Sequence, residues 1–145
     1  MIEFHAIPLI SLYGNLIVSV QVALTDHLVA RLVADVTCAI ETTPVSGLII
    51  DISGVDVMDS YITRCIRDLA MTARLMGTET VICGMRPVVV MTMVEMGLDL
   101  QGVSSALNLE RALESLVRRA SSGGRADLEA LPRLDPESGA VSPAR

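Results

Sequence analysis

The stretch Gly47–Met76, GLIIDISGVDVMDSYITRCIRDLAMTARLM, leaves the chain few ways to fold. It opens with Leu48-Ile49-Ile50, a short continuous apolar run of the kind that forms a strand covered on both faces. Three carboxylates, Asp51, Asp56 and Asp59, then fall within nine residues, and Ser60 follows. After it, Ile62, Cys65, Ile66, Leu69, Ala70, Ala73 and Met76 recur at spacings of three and four, which makes one face of an amphipathic helix. Tyr61, Thr63, Arg64, Arg67, Asp68 and Arg74 fall on or near the other side. Gly77 suits the residue just past a helix end, and Ser60 suits the N-cap. The unit reads as strand, acidic loop, helix, with a serine hydroxyl at the junction.

The flanks repeat this grammar. Ile2–Leu12 is β-rich with Pro8 inside it, so it belongs at a sheet edge or bends at the proline. Tyr13-Gly14-Asn15 signals a turn, and Leu16–Val20 completes a hairpin. Thr25-Asp26 starts a helix with Leu28, Val29, Leu32, Val33, Val36 and Ile40 as its stripe, ended by Thr43-Pro44. Thr78–Met85 is a second buried strand. Pro87 suits the first turn of a helix over Val88–Met96, closed by Gly97. Val103 sits in a short strand, and Asn108 caps a last helix that carries Arg118-Arg119 at its end. The predicted class is α/β: a hairpin followed by βαβ units, hence a mixed, mostly parallel central sheet with helices packed around it. Residues 1–120 form the domain. Residues 121–145 change composition, beginning Ser121-Ser122-Gly123-Gly124 and holding Pro132, Pro136 and Pro143, and are expected as a flexible C-terminal tail.

Composition narrows the function classes. The 145 residues are 51% hydrophobic but 2% aromatic, so the core is built from aliphatic residues, Met and Ala. The net charge is −6, and all 11 cations are Arg, since the chain has no Lys. An acidic chain with a single Phe lacks the basic stripe and stacking aromatics that nucleic-acid binding needs. Cys38, Cys65 and Cys83 lie widely spaced in apolar segments and are expected as buried free thiols in a reducing compartment. No signal-peptide pattern opens the chain, and Val88–Leu98 is too short to span a bilayer, so a cytoplasmic protein without a membrane partner is expected.

Each chemical group has a plain reading beside a functional one. Asp51, Asp56 and Asp59 follow a strand end, where open α/β sheets place ligands, and such a cluster can hold Mg²⁺; acidic turns are also common without metal. A receiver domain would need a late Lys, and there is none. Ser60 has no nucleophile elbow around it, and His5 and His27 belong to no recognisable motif, so no catalytic residues and no cofactor are expected. As a phosphoacceptor Ser60 is attractive, because free helix N–H groups would stabilise the added phosphate. Arg64 and Arg67 lie one and two turns beyond it. They could meet a partner or a phosphate, or simply solvate the helix, with Arg64 and Asp68 pairing across one turn. Met91, Met93 and Met96 read mainly as core filler.

DISGVDVMDSYITRCI and GMRPVVVMTMVEMGLDLQGVSSALNLERALE, in this order of elements, resemble STAS domains of the anti-sigma-factor antagonist class, and among them the short RsbS-type stressosome scaffolds. The resemblance runs from about Ile2 to Arg119. Its most specific parts are V-D-V-M-D-S-Y, residues 55–61, and the stretch from Gly84. It implies a STAS fold and a non-enzymatic phosphoswitch in a stress-signalling complex. An RsbT-like switch serine/threonine kinase is held until it phosphorylates Ser60, and Asp56, Asp59, Tyr61, Arg64 and Arg67 are the candidate docking residues. A larger RsbR-like co-antagonist with a sensory domain and a PP2C-type phosphatase are the further partners, and self-association is expected. The alternatives are a simple antagonist that binds an anti-sigma kinase directly, or a small-ligand or metal-binding domain using the acidic loop. The tail after Ser121 is a departure from a minimal scaffold.

Overall fold

The computed structural model describes residues 7–21, 23–98, 100 and 102–130, with the side chains of 123–130 outside the description. The chain begins with a hairpin, β1 (Leu9–Leu12) and β2 (Asn15–Ser19), joined by Tyr13-Gly14. Both loop residues have positive φ, 52° and 75°, as a two-residue loop matched to strand twist requires. Then follow α1 (Asp26–Thr42), β3 (Gly47–Asp51), α2 (Ser60–Leu75), β4 (Glu79–Cys83), α3 (Pro87–Glu95), β5 (Ser104–Ala106) and α4 (Leu109–Ala130). The strands lie side by side in chain order, β1-β2-β3-β4-β5, antiparallel in the hairpin and parallel elsewhere. The mixed, mostly parallel α/β sheet is the one the sequence predicts. The expected start of β1 at Ile2 lies partly outside the described residues.

Strand order decides where the helices go. Each parallel crossover steps to the next strand in the same direction. Right-handed connections therefore place α1, α2 and α3 on one face. Period-2 alternation divides the strands accordingly. Leu16, Leu48 and Thr80 are in register, as are Val18, Ile50 and Ile82; except for Thr80 these residues join the core beneath the first three helices. Ile17, Ile49, Val81 and Cys83 form a smaller core with Ala112 and Leu116 of α4 on the other face. Among the described residues both cores lack aromatic residues and are built from aliphatic side chains with Met and Cys.

Four expectations need correction. The last helix does not stop near Arg119; its backbone runs on to Ala130. Elongating a formed helix is cheap once nucleation is complete, and Ser121 and Ser122 satisfy their hydroxyls on carbonyls of the preceding turn. Residues 131–145 lie outside the described residues. The cysteines are not all buried: Cys83 is, Cys65 is half-buried, and Cys38 is exposed because it falls off the α1 stripe. Of the Met group only Met93 is core; Met91 and Met96 face solvent. Asp68 pairs with Arg67 at 3.7 Å, and among the described residues no Arg64–Asp68 pair forms.

Candidate functional site

The C-terminal ends of the parallel strands carry the loops that matter here. The loop after β3 is pinned from below by Ile52, Val55 and Met58, all buried. Apolar anchors at this spacing hold an otherwise polar loop to one shape. Asp51 Oδ1 accepts a hydrogen bond from Ser53 N at 3.0 Å, and Ile52 O accepts from Val55 N at 2.9 Å. Gly84, at the end of the neighbouring strand, takes φ +74°; a Cβ there would sit 2.8 Å from Asp51 Oδ1. Only glycine lets the two strand ends approach in this way.

The three carboxylates do not act together. Alternation turns Asp51 toward the α4 face, in register with Ser19 and Cys83. There burial, with Asp51 as a second cause, pushes the Cys83 thiol up to about 12. Asp56 pairs with Arg86, whose Nε also donates to Ser53 O at 2.9 Å. Asp59 accepts from Ile62 N at 2.8 Å. Among the described residues no three His, Cys, Asp or Glu side chains form a cluster able to hold a metal ion.

That last bond also moves the cap. Asp59 is the N-cap of α2, in extended backbone, and Ser60 is the first helical residue. The sequence assigned the cap to Ser60, but Asp and Ser cap equally well. The preceding carboxylate wins and releases the serine hydroxyl from structural duty. Thr63, placed by periodicity on the polar side, is buried and donates its Oγ1 to Asp59 O at 2.8 Å. Ser60 is half-buried.

Ser60, Thr63, Arg64 and Arg67 share one recess of about 160 Å³, whose far wall is Gly97-Leu98, just past α3. Arg64 is exposed, and among the described residues it makes no hydrogen bond or ion pair. On the other side of Asp59 a second recess of about 300 Å³ is lined by Leu24, Asp56, Val57 and Ile62. Tyr61 is exposed, and its hydroxyl is held above its ordinary value, first by a hydrogen bond with the Cys65 side chain. The structure thus gathers Ser60, Arg64 and Arg67, sets Asp59 and Tyr61 beside them, and turns Asp51 away. Arg86 and Leu98 complete the surroundings and were missed. A lone Arg before Pro87 was the available sign for the first; nothing local marks the second.

The fold matches known proteins. The STAS domain family matches residues 6–124, and the chain belongs to that family. It resembles the solved structure of Moorella thermoacetica RsbS carrying a serine-to-glutamate change, at 32% identity and TM-score 0.71, covering 79% of this chain and 97% of that one. A chain of a structure described as the molecular architecture of the stressosome, a signal integration and transduction hub, matches at 33% identity and TM-score 0.64, covering 78% and 98%. The RsbT co-antagonist protein RsbRC of Bacillus subtilis is 30% identical over 118 residues, 79% of this chain and 38% of that protein. The chain thus spans well under half the length of that relative. One of these structures is named for the stressosome, and the Bacillus subtilis relative for co-antagonism of RsbT. Among the described residues no helix is long and apolar enough to cross a membrane.

Proposed function

We propose that this chain is a non-enzymatic scaffold of a stress-signalling complex that holds a switch serine/threonine kinase until Ser60 is phosphorylated. The observation that carries this reading is the state of Ser60: first residue of α2, relieved of capping by Asp59, and half-open to a recess lined by two arginines. A modified hydroxyl there changes the surface and leaves the fold intact. In the transfer, Ser60 Oγ bonds to the γ-phosphorus of ATP, the bond to the β-γ bridging oxygen breaks, and ADP departs. The hydroxyl proton passes to a base of the kinase. A PP2C-type phosphatase reverses the modification with water. The names of the relatives support an RsbT-like kinase and an RsbR-like co-antagonist as partners. Arg64 and Arg67 line the Ser60 recess, and with Asp56, Asp59 and Tyr61 from the same loop and first helical turn they form the docking surface; self-association builds the scaffold. The protein works in the cytoplasm, where such a kinase and ATP are found.

The test is kinase affinity before and after phosphorylation, with mass spectrometry locating the phosphate. Ser60→Ala should fold, bind and resist phosphorylation. Ser60→Asp should fold and bind weakly, since an unpaired charge at an interface costs up to several kcal/mol. Equal affinities of the two forms would eliminate the switch. Kinase binding without co-assembly with the RsbR-like partner would leave the simpler antagonist.

A further inference from the structure

We infer that Arg64 and Arg67 form a receptor, within the same chain, for the phosphate that Ser60 carries. This rests on Ser60 being the modified residue. It adds that the switch works by withdrawing a cationic contact from the partner.

Side chains one turn apart on a helix are neighbours, so the Arg64 guanidinium lies within reach of a group built on Ser60. Arg67 lines the same recess from the next turn. Arg64 has no competing partner among the described residues, and Arg67 has only the loose 3.7 Å contact with Asp68. The two acids of the loop before the helix are engaged elsewhere: Asp56 with Arg86, Asp59 with the Ile62 N–H. They do not draw the guanidinium groups away. Thr63 fixes the floor through its bond to Asp59 O. The positive end of α2 adds to the same field. A phosphate brings about −1.5 to −2 charges and acceptor oxygens suited to two-pronged guanidinium bonds. Two guanidiniums nearly neutralise it.

The surface therefore changes in kind. Unphosphorylated, it offers two cations at the mouth of the recess, Arg64 unpaired among the described residues and Arg67 only loosely held by Asp68. Phosphorylated, it offers a closed, near-neutral cluster. A partner that recognises the open pair through an acidic group loses that contact, with no need for repulsion.

The experiment uses the full chain with phosphoserine installed at position 60 during synthesis, so it needs no kinase. Urea unfolding is measured for wild type and for the R64Q/R67Q double variant, each with serine and with phosphoserine. The double substitution should shift the unfolding equilibrium less than about threefold with serine, since exposed helix pairs contribute little. With phosphoserine the shift should be at least about tenfold, the size expected for one or more new charge-assisted bonds. R111Q on α4, across the sheet, should shift both forms equally. Hydrolysis by a broad-specificity phosphatase should be faster in the double variant. Equal penalties with serine and phosphoserine would overturn the receptor, as would failure of the phosphoserine chain to fold. Failure of the kinase to modify Ser60 while the coupling is present would instead overturn the proposed function and leave the receptor standing.

Discussion

Helices α2 and α3 occupy equivalent places: each follows a parallel strand and runs back over the same face of the sheet. Their surfaces differ. α2 buries Ile62, Thr63, Ile66, Leu69, Ala70 and Ala73 and turns Arg64, Asp68 and Arg74 outward. It starts on a side-chain cap and ends before Gly77 at φ +87°. α3 reads PVVVMTMVE, buries only Val89 and Met93, and has no side-chain cap bond. Val88 is 56% exposed, Met91 62% and Val94 73%. A helix with water on one side normally shows it polar residues; α3 shows the chemistry of its inner face. α2 is finished as a surface element, whereas α3 presents an apolar patch of the kind that marks contact with another protein. Leu98, just beyond α3, is also a wall of the Ser60 recess, so the two surfaces meet.

Several substitutions would break or sharpen this contrast. The largest effect belongs to the buried face of α2. Leu69→Ala should cost about 2–5 kcal/mol in urea unfolding, the range for emptying a core site. Val94→Ala should stay within about 0.5 kcal/mol, as exposed changes do. A loss at Val94 matching that at Leu69 would mean the outer face of α3 is covered in the isolated chain.

The strand between the two helices provides a pH handle. Cys83 holds its proton up to about pH 12 when folded, while an unperturbed thiol loses it near pH 8.5. Above that value the unfolded chain binds fewer protons than the folded one, so stability falls as pH rises toward 12. Comparing melts of wild type and Cys83→Ala between pH 8 and 11 isolates this contribution; parallel curves would refute it. The same burial should make Cys38 the first thiol labelled by a thiol reagent and Cys83 the last.

Capping comes next. Asp59→Ala should cost about 1 kcal/mol, whereas Ser60→Ala should cost only a few tenths, because Ser60 is not the cap. Reversed magnitudes would return the cap to the serine. The smallest effect on stability is expected for Val88→Lys with Val94→Lys, within about 0.5 kcal/mol. Sedimentation should then show weaker self-association than wild type. Unchanged association would place the scaffold contact on another face.

The fold was legible because its signals are redundant. Leu48-Ile49-Ile50, the stripe from Ile62 to Ala73, Pro87 and Gly97 each state one element in the language of period, propensity and punctuation. The site was legible only where one short segment holds it. Ser60, Arg64 and Arg67 share a helix, so helical spacing alone brings them together. Whether Asp59 or Ser60 caps is a contest between two good caps, settled by which residue takes extended backbone. Arg86 and Leu98 reach the site across strand boundaries, and no local pattern carries that information. The run through Ser121–Gly124 misled because loop-like composition did not stop a helix already under way.

The unbroken strand order has a consequence for how the protein is made. Each strand pairs with the one synthesised just before it, so the sheet can zip together as the chain leaves the ribosome, without waiting for a distant partner. The exception is the back of the sheet. Ile17, Ile49, Val81 and Cys83 stay bare until Ala112 and Leu116 arrive in the final helix. A nascent chain halted before Leu109 should therefore hold a nearly complete sheet with one oily side. That intermediate is where chaperone capture and aggregation should concentrate, and ribosome-stalled chains ending on either side of α4 would reveal the difference.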